Sequence, residues 1–546
     1  MAGARNPAIS PALTRAKLTD QLPLDREAPV VVVGAGTAGL SAALSLAEAG
    51  LSPLVLEADP EYCGGRFGGQ PATEFSYAGR DWRFQGEHGI HGLWSQYHNL
   101  RALLEHHGVR PTLIPAQRQD WVYARGNSVR RAEIGRRLRT SFIPAPFHYL
   151  ALLADPGFLA MLSPLDLLRI PWVGFTMLAM LAVDPMREGD KLEGATLNDF
   201  LLGWPVMLRA FIGSLSRSGL STGTADVPLA GFVALFRFYS LLRRDASAYH
   251  YLRGDPGTHI MDPLVAALRK AGGEVFKGVT VTHLEPVGQD QWLIYWRSTH
   301  SDQEASAGTV HARHVVLASD ASGARRILCA SQHTAAQALD LHWPEGQATA
   351  MARLWFNVAP TSTSEGGMLG GDFILDNFFW LHRFQDAFME WHRETGGSAV
   401  ESHLYGPSDL LAQPDATVLT LAVRDTVRAN PELRGSLVHA SLQRNPPTHT
   451  LFSIGAAGRH MGIQTPWPGL YCCGDWVRHE TPALFLERAC VTGIEAANAV
   501  RTALGRPTLP LLPYTGPELS AVAMEQVVRL IRGLVAGGYR LLLKSR

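Results

Sequence analysis

Residues 30–70 of this 546-residue chain read VVVVGAGTAGLSAALSLAEAGLSPLVLEADPEYCGGRFGGQ. The first four, Val30–Val33, are apolar without alternation, which is typical of a strand buried on both faces of a parallel sheet. Apolar residues at helical spacing follow until Gly50, and a second apolar run over 52–56 ends in Glu57. The stretch therefore predicts a strand, a helix and a second strand.

A glycine-rich turn lies between the first predicted strand and the helix. Residues 34–39, GAGTAG, form a G-x-G-x-x-G pattern. The first glycine permits a tight turn, the second leaves room for a pyrophosphate, and the third lets the helix pack closely on the strand. Free N–H groups at the helix N-terminus favour the phosphates. The pattern predicts a dinucleotide site that includes Gly34, Ala35, Gly36, Ala38 and Gly39.

Two features beyond this turn indicate which dinucleotide the site binds. Glu57 follows the second strand, where a carboxylate accepts hydrogen bonds from ribose hydroxyls and repels the extra phosphate of NADP. A second glycine cluster, Gly64, Gly65 and Arg66, comes soon after, and simple NAD enzymes have no use for it. A plain surface loop would have the same composition, but beside a dinucleotide site the cluster favours FAD, with Arg66 near the flavin.

Three later segments repeat this kind of pattern. Residues 271–284 read AGGEVFKGVTVTHL, residues 314–320 read HVVLASD, and residues 469–500 read GLYCCGDWVRHETPALFLERACVTGIEAANAV. Each contains a short apolar strand beside glycine or an acidic residue. In the third segment small residues would let a helix approach the cofactor, and Asp475, after Gly474, could bind a hydroxyl of its sugar chain.

Together these segments resemble the superfamily of FAD-dependent amine oxidases and phytoene desaturases. The resemblance covers about 30–95, 250–330 and 450–503, and it implies further cofactor contacts. Val281 would contact adenine through its backbone, Gly474 and Asp475 would bind the ribityl–phosphate region, and Val491 and Thr492 would lie at a helix start facing the flavin. Arg488 or Ala489 stands where the superfamily commonly has glycine, which leaves that helix start open.

The choice between branches of the superfamily rests on a missing lysine and on inserted segments rich in apolar side chains. Amine oxidases of the superfamily usually place a lysine near flavin N5, and this chain has no lysine between Lys277 and Lys544. Residues 142–183, 232–239 and 373–380 are rich in aromatic and apolar side chains, which is typical of a helical core and also of an apolar substrate tunnel. Residues 89–108 and 469–479 look most like carotenoid desaturases, including those that aromatise a ring.

The resemblance implies hydride transfer from an apolar isoprenoid, a carotenoid above all, to flavin N5, with oxygen or a membrane quinone as the final acceptor. A carotenoid isomerase, another terpenoid oxidoreductase, a flavin amine oxidase and a non-catalytic flavoprotein remain alternatives. No residue is assigned as catalytic. His88, His91 and Trp476 are candidate substrate-facing side chains, although a structural role for the histidines explains the pattern better. The sequence contains no G-x-S-x-G motif, the turn that carries the nucleophilic serine of many hydrolases, so nothing in it indicates hydrolysis.

Composition excludes other classes. The 49 basic and 49 acidic residues leave no net charge, which argues against nucleic-acid binding. Five scattered cysteines form no C-x-x-C pair, so we expect no metal site and a reducing, cytoplasmic compartment. The N-terminus lacks the apolar core of a secretory signal, and no run reaches the length of a membrane span.

The C-terminal residues 525–546 have an amphipathic helical pattern. Val527, Ile531 and Leu534 share one face with Leu541 and Leu542, and arginines occupy the opposite face. A basic amphipathic helix suits an anionic membrane surface, which would make the protein peripherally associated. An ordinary helix docked on its own protein fits the pattern as well.

The overall expectation is an α/β protein with a discontinuous Rossmann-type FAD-binding domain and an inserted α+β substrate domain. The predicted segments are an N-terminal arm (1–28), three FAD-binding parts (29–95, 246–330 and 451–503), a helical cap (96–245), a second substrate part (331–450) and an amphipathic tail (504–546).

Overall fold

The computed structural model describes residues 22–288, 290–299, 306–456 and 458–544, and within them the chain forms nineteen strands and eighteen α-helices. The strands are β1 (Asp25–Val33), β2 (Pro53–Glu57), β3 (Gly69–Tyr77), β4 (Arg80–Glu87), β5 (Leu93–Trp94), β6 (Leu113–Pro115), β7 (Gln119–Arg125), β8 (Ser128–Glu133), β9 (Tyr249–Leu252), β10 (Glu274–Lys277), β11 (Val279–Val287), β12 (Gln291–Ser298), β13 (Ala307–Leu317), β14 (Gly346–Phe356), β15 (Gly366–Gly371), β16 (Asn377–Trp380), β17 (Ser398–Leu404), β18 (Leu437–Thr450) and β19 (Leu470–Cys472).

The helices are α1 (Thr37–Glu48), α2 (His98–His106), α3 (Gly135–Arg139), α4 (Pro156–Leu159), α5 (Pro164–Leu167), α6 (Ile170–Ala179), α7 (Pro185–Glu188), α8 (Leu197–Phe200), α9 (Val206–Leu220), α10 (Leu229–Phe236), α11 (Asp262–Lys270), α12 (Ala321–Ala330), α13 (Ala335–Asp340), α14 (Asp386–Thr395), α15 (Ser408–Leu411), α16 (Asp415–Ala429), α17 (Phe485–Ala503) and α18 (Leu519–Lys544).

The first sheet has the order β10-β2-β1-β13-β12-β11, with β19 also paired to β13. Its strands β10, β2, β1, β13 and β19 are parallel, and β11 and β12 extend it in antiparallel register. Val30–Val33 lie in its central strand and are almost fully buried, as the run of valines predicts. The carboxyl ends of these parallel strands are where such a fold binds its ligand.

Two helices pack together beside this sheet. α1, which begins directly after the glycine turn, lies against α17. A Cβ added at Gly493 of α17 would lie 2.3 Å from the carbonyl oxygen of Ala38, so the crossing requires glycine there. The small residues of the last segment thus bring α17 against the helix that opens the dinucleotide motif.

The second sheet has the order β18-β14-β17-β16-β15-β7-β8 and is antiparallel except for the β15–β7 pair. One face of β14 contributes Leu354 and Phe356 to an apolar core that includes Val418 of α16. The other face carries Trp355, which packs against Phe84 of the β3–β4 hairpin at 5.2 Å between ring centroids. This sheet covers the residues that follow the second glycine cluster.

The discontinuous α/β architecture is confirmed, since the first sheet takes strands from 25–57, 274–317 and 470–472. The exact segment boundaries stay predictions, with two corrections. β1 begins at Asp25 because Asp25 and its neighbours pair with Thr309 and beyond, so the end of the predicted arm is strand; residues 1–21 lie outside the described residues. The predicted helical cap contains the hairpin β7–β8, whose alternating side chains flank a turn at Gly126.

The C-terminal helix is docked through its polar side and leaves apolar side chains exposed. Arg532 pairs with Glu188, and Glu525 pairs with Arg237. Ile531 and Leu534 are 53% and 68% exposed. Further exposed apolar side chains occur in the helical segment on which it docks: Phe142, Leu165, Leu168, Trp172 and Phe175. None of the helices described combines the length and the apolarity that crossing a bilayer requires.

Candidate active site

The glycine turn has the shape of an anion cradle. Gly34 has φ +105°, and a Cβ at Gly39 would lie 1.9 Å from the carbonyl oxygen of Gly34, so both positions require glycine. A Cβ at Gly36 would meet only the carbonyl oxygen of Gly64, at 3.8 Å, which leaves space in front of the turn. α1 has no side-chain cap, and its first N–H groups therefore remain available to a phosphate.

The acidic residue after β2 is held at the same turn. The N–H of Ala35 donates to Oε2 of Glu57 at 2.6 Å, and the N–H of Asp59 donates to its Oε1 at 2.9 Å. Burial raises the pKa of Glu57 despite these bonds. Val281 is also buried, on β11. The ribose and adenine contacts assigned to Glu57 and Val281 stay predictions.

The second glycine cluster joins the first. Gly64 has φ +114°, and its N–H donates to the carbonyl of Ala35 at 2.8 Å. Two residues on, Nη2 of Arg66 lies 2.7 Å from both carboxylate oxygens of Asp475. Burial of that carboxylate raises its pKa, but the charge and hydrogen bond of Arg66 outweigh burial and lower it. Arg66 and Asp475 are thus brought together from opposite ends of the chain.

The predicted position of α17 needs a correction. The helix begins at Phe485, which has φ +57°, so Val491 and Thr492 lie in its second turn and not at its start. Oγ1 of Thr492 accepts from the N–H of Gly474 at 3.0 Å and donates to its carbonyl at 3.1 Å. Thr492 therefore holds the turn that carries Asp475, and a direct flavin contact for it stays a prediction.

Three buried histidines, His88, His91 and His449, interact electrostatically with the ion pair Arg66–Asp475. The rings of His88 and His91 are 6.3 Å apart, and Nε2 of His88 and Nδ1 of His91 are buried without a hydrogen-bond partner among the described residues. Burial lowers the pKa of His88 well below its usual value, and His91, Arg66, His449 and His403 lower it further. Burial, with Arg66 second, lowers the pKa of His449 to about 4.

The imidazoles of His88, His91 and His449 are therefore uncharged at neutral pH. Burial also lowers the pKa of His91 to about 4. His449 lines a small cavity with Asp475, Phe485 and Phe452. Trp476 is not brought into this group: its N–H donates to the carbonyl of Ser319 and its ring packs on Trp343 in the core of the first sheet.

The loop that carries His88 and His91 is fixed from beneath by the second sheet. Nδ2 of Asn445 donates to the carbonyl of His88 at 2.9 Å. The N–H of Ile90 donates to Oε1 of Glu401 at 2.8 Å. The same oxygen lies 2.7 Å from Nε2 of His403. The loop residues are thus held at a defined position over β14, β17 and β18.

A buried charge network continues from Glu401. Its Oε2 accepts from Nε of Arg353 at 2.6 Å, and a second buried carboxylate, Glu87, lies 3.8 Å from the same guanidinium. Burial raises the pKa of Glu401, but Arg353 and His403 outweigh it and lower the pKa; burial and the charge of Glu401 raise the pKa of Glu87. Arg353 also lines a cleft of about 280 Å³ beside the β3–β4 hairpin.

The sequence interpretation missed Arg353, Glu401, His403, Asn445 and His449. A single arginine within the apolar run of β14 (ATAMARLWF) was the one signal that a buried partner must exist. The partner itself is set by strand register, which pairs Arg353 with Glu401 and Met351 with His403.

Comparison with known proteins agrees with this geometry. The model of the family described as "Flavin containing amine oxidoreductase" matches residues 37–501. This chain belongs to that family. It is a flavin-dependent oxidoreductase, and the predicted superfamily is confirmed.

Three similar proteins narrow the comparison. A carotenoid phi-ring synthase of Streptomyces griseus is 29% identical over 537 residues, covering 94% of this chain and 95% of the relative. One of Chlorobaculum tepidum is 22% identical, covering 92% of each chain. The solved structure of cyclohexylamine oxidase from Brevibacterium oxydans is 15% identical with a TM-score of 0.59, covering 88% of this chain and 100% of that one, which shows a shared fold. The predicted resemblance to carotenoid-acting proteins is confirmed by the first two.

Proposed function

We propose that this oxidoreductase holds FAD and desaturates the ring end of a carotenoid, towards an aromatic ring. The observation that carries the proposal is the group of buried, uncharged imidazoles beside the ion pair Arg66–Asp475. Such imidazoles add no charge beside an apolar substrate, and their nitrogen atoms can accept a proton. The end-to-end similarity to two carotenoid phi-ring synthases supports a carotenoid as the substrate.

The residues present fit FAD. The open space in front of Gly36 and the uncapped N-terminus of α1 suit its pyrophosphate. Glu57 would hold the adenine ribose, and Arg66 with Asp475 would lie on the flavin side. When bound, FAD supplies the acceptor for a hydride from the substrate.

Side chains of this protein would accept the proton that the substrate loses. Desaturation removes two hydrogens, one as a hydride and one as a proton. A neutral imidazole accepts a proton, and Nε2 of His88 is buried with no other partner among the described residues. Asn445 and Glu401 keep the histidine loop in one position, so the acceptor is oriented before the substrate arrives. Burial of Nε2 of His88 keeps this nitrogen away from bulk water.

A lipid bilayer is the proposed source of so apolar a substrate. The exposed side chains Phe142, Leu168 and Phe175, with Ile531 and Leu534 of α18, are the apolar groups that would rest on an anionic leaflet. Oxygen or a membrane quinone would reoxidise the enzyme. This protein would then be peripherally associated with the membrane.

The test is expression of the chain in a host that makes lycopene and β-carotene, with an empty vector as control, followed by pigment chromatography and mass spectrometry. We expect new pigments lighter by pairs of hydrogens and carrying aromatic rings. Unchanged pigments despite well-expressed, FAD-loaded protein would overturn the proposal for these substrates. Products of unchanged mass would establish an isomerase instead, and amine-dependent peroxide formation an amine oxidase.

A further inference from the structure

Three potential metal ligands meet on the surface between α1 and α2. Nε2 of His106 lies 3.0 Å from Oε1 of Glu48, and Nε2 of His107 lies 3.3 Å from the same oxygen. The ligand atoms of all three side chains lie within 4.8 Å of one another. The sequence does not predict this group, because Glu48 is distant in sequence from the two adjacent histidines and no metal-ligand motif connects them.

The two distances from Glu48 to the histidine nitrogens match a tetrahedral ion. Zinc binds imidazole nitrogen and carboxylate oxygen at about 2.0–2.2 Å, so two of its tetrahedral ligands lie roughly 3.3–3.5 Å apart. The observed oxygen–nitrogen distances of 3.0 and 3.3 Å are close to this distance between two ligands. One oxygen and two nitrogens would occupy three corners, and solvent would occupy the fourth, because the side chain of His106 is 67% exposed.

Two further observations favour a cation here. The side chain of His107 is only 10% exposed, yet its Nε2, 3.3 Å from Oε1 of Glu48, is buried with no hydrogen-bond partner among the described residues. Glu48 is the last residue of α1 and His106 the last residue of α2. The carboxyl ends of both helices carry partial negative charge, which stabilises a bound cation.

We propose that Glu48, His106 and His107 form a zinc site that ties α1 to α2. α1 begins at the glycine turn, and α2 follows the loop of His88 and His91, so the ion would link the two parts of the candidate active site from outside. The proposal does not depend on the substrate or on the flavin chemistry.

The test is zinc titration of the full chain, flavin-loaded, chelator-treated and free of any added histidine tag, by calorimetry, with cobalt as the spectroscopic probe. We expect one equivalent of zinc, tetrahedral cobalt absorption, and a rise in Tm on adding zinc. His106→Ala, at an exposed position, should lose the cobalt spectrum and weaken zinc binding by more than the change of about 10–100-fold caused by losing an outer-sphere partner. Glu48→Gln should do the same.

The matched control is His259→Ala, since that side chain is also exposed and lies elsewhere on the chain. It should bind zinc as the unaltered protein does. Absence of stoichiometric binding by the unaltered protein would overturn the proposal. Equal zinc affinity in His106→Ala, Glu48→Gln and the control would overturn it as well, because binding would then reside at other histidines.

Discussion

Nη2 of Arg66 lies 2.7 Å from each carboxylate oxygen of Asp475, and this contact joins two residues 409 positions apart. Arg66 follows the second glycine cluster and Asp475 follows β19. The ion pair therefore connects these two chain segments at the ligand-binding edge of the first sheet. Because both side chains are mostly buried, the charge of each is compensated by the other.

Asp475→Asn should therefore weaken flavin binding and stability together. An uncompensated Arg66 costs about 3 kcal/mol if the site does not relax. Flavin absorbance relative to protein absorbance measures occupancy, and urea unfolding measures stability. Asp245→Asn, which removes an exposed ion-pair partner, is the control. Full flavin occupancy in Asp475→Asn would show that the pair does not support the cofactor.

Gly39→Ala should disrupt the turn itself. The added Cβ would lie 1.9 Å from the carbonyl oxygen of Gly34, and overpacking of this kind costs about 1–3 kcal/mol. We expect loss of bound flavin and a lower Tm. Gly516→Ala adds the same methyl group where no atom lies within 4 Å and should leave both unchanged. Equal behaviour of the two variants would contradict the close approach of α1 to β1.

The glycine turn and the charge network differ in how far sequence predicts them. Val30–Val33, the glycines after them and Glu57 are near neighbours in sequence, and their spacing alone fixes a β–α–β unit. Arg353 and Glu401 meet only through the register of β14 on β17. Register between distant strands is set by packing of the whole sheet, so no local pattern shows it.

The same reasoning explains why the sequence predicts only some of the histidines at this site. His88 and His91 lie in one short loop and were recognisable as a pair. His449 joins them from the end of β18, and His403 from β17, because the second sheet covers that loop. α17 begins upstream of the predicted position, at Phe485, and the buried Arg488 in its first turn donates to the carbonyls of Thr481 and Val477, contacts with backbone outside the helix that no local pattern shows.

Glu87→Gln should reduce the dependence of stability on pH. The pKa of Glu87 is raised in the folded state, so its stabilising contribution is complete below the ordinary value of 4.5 and is lost as pH rises through the raised value. The free energy of unfolding, measured in urea at pH 5 and pH 8, should fall less in the variant than in the unaltered protein. An identical fall in both would show that Glu87 ionises normally.

Replacing Ile531 and Leu534 together by Gln should weaken membrane binding. Full burial of one such side chain stabilises by about 1.5–3 kcal/mol, so partial immersion of two gives about a tenfold change or more in partitioning. Flotation with anionic vesicles measures it. Leu339→Gln, at a similarly exposed position on α13, is the matched control. Unchanged flotation of the double variant would exclude this surface of α18.

His88→Asn should lower kcat about 100-fold with little change in KM, since a positioned proton acceptor contributes roughly that much and apolar contacts bind the substrate. The exposed His259→Asn should leave kcat unchanged. The pH profile separates chemistry from structure. An ordinary imidazole stops accepting protons as pH falls through 6.5, but the pKa of His88 is held well below that value. The rate of the unaltered enzyme should therefore persist below pH 6.5, and a half-maximal rate near pH 6.5 would assign the proton to a different group.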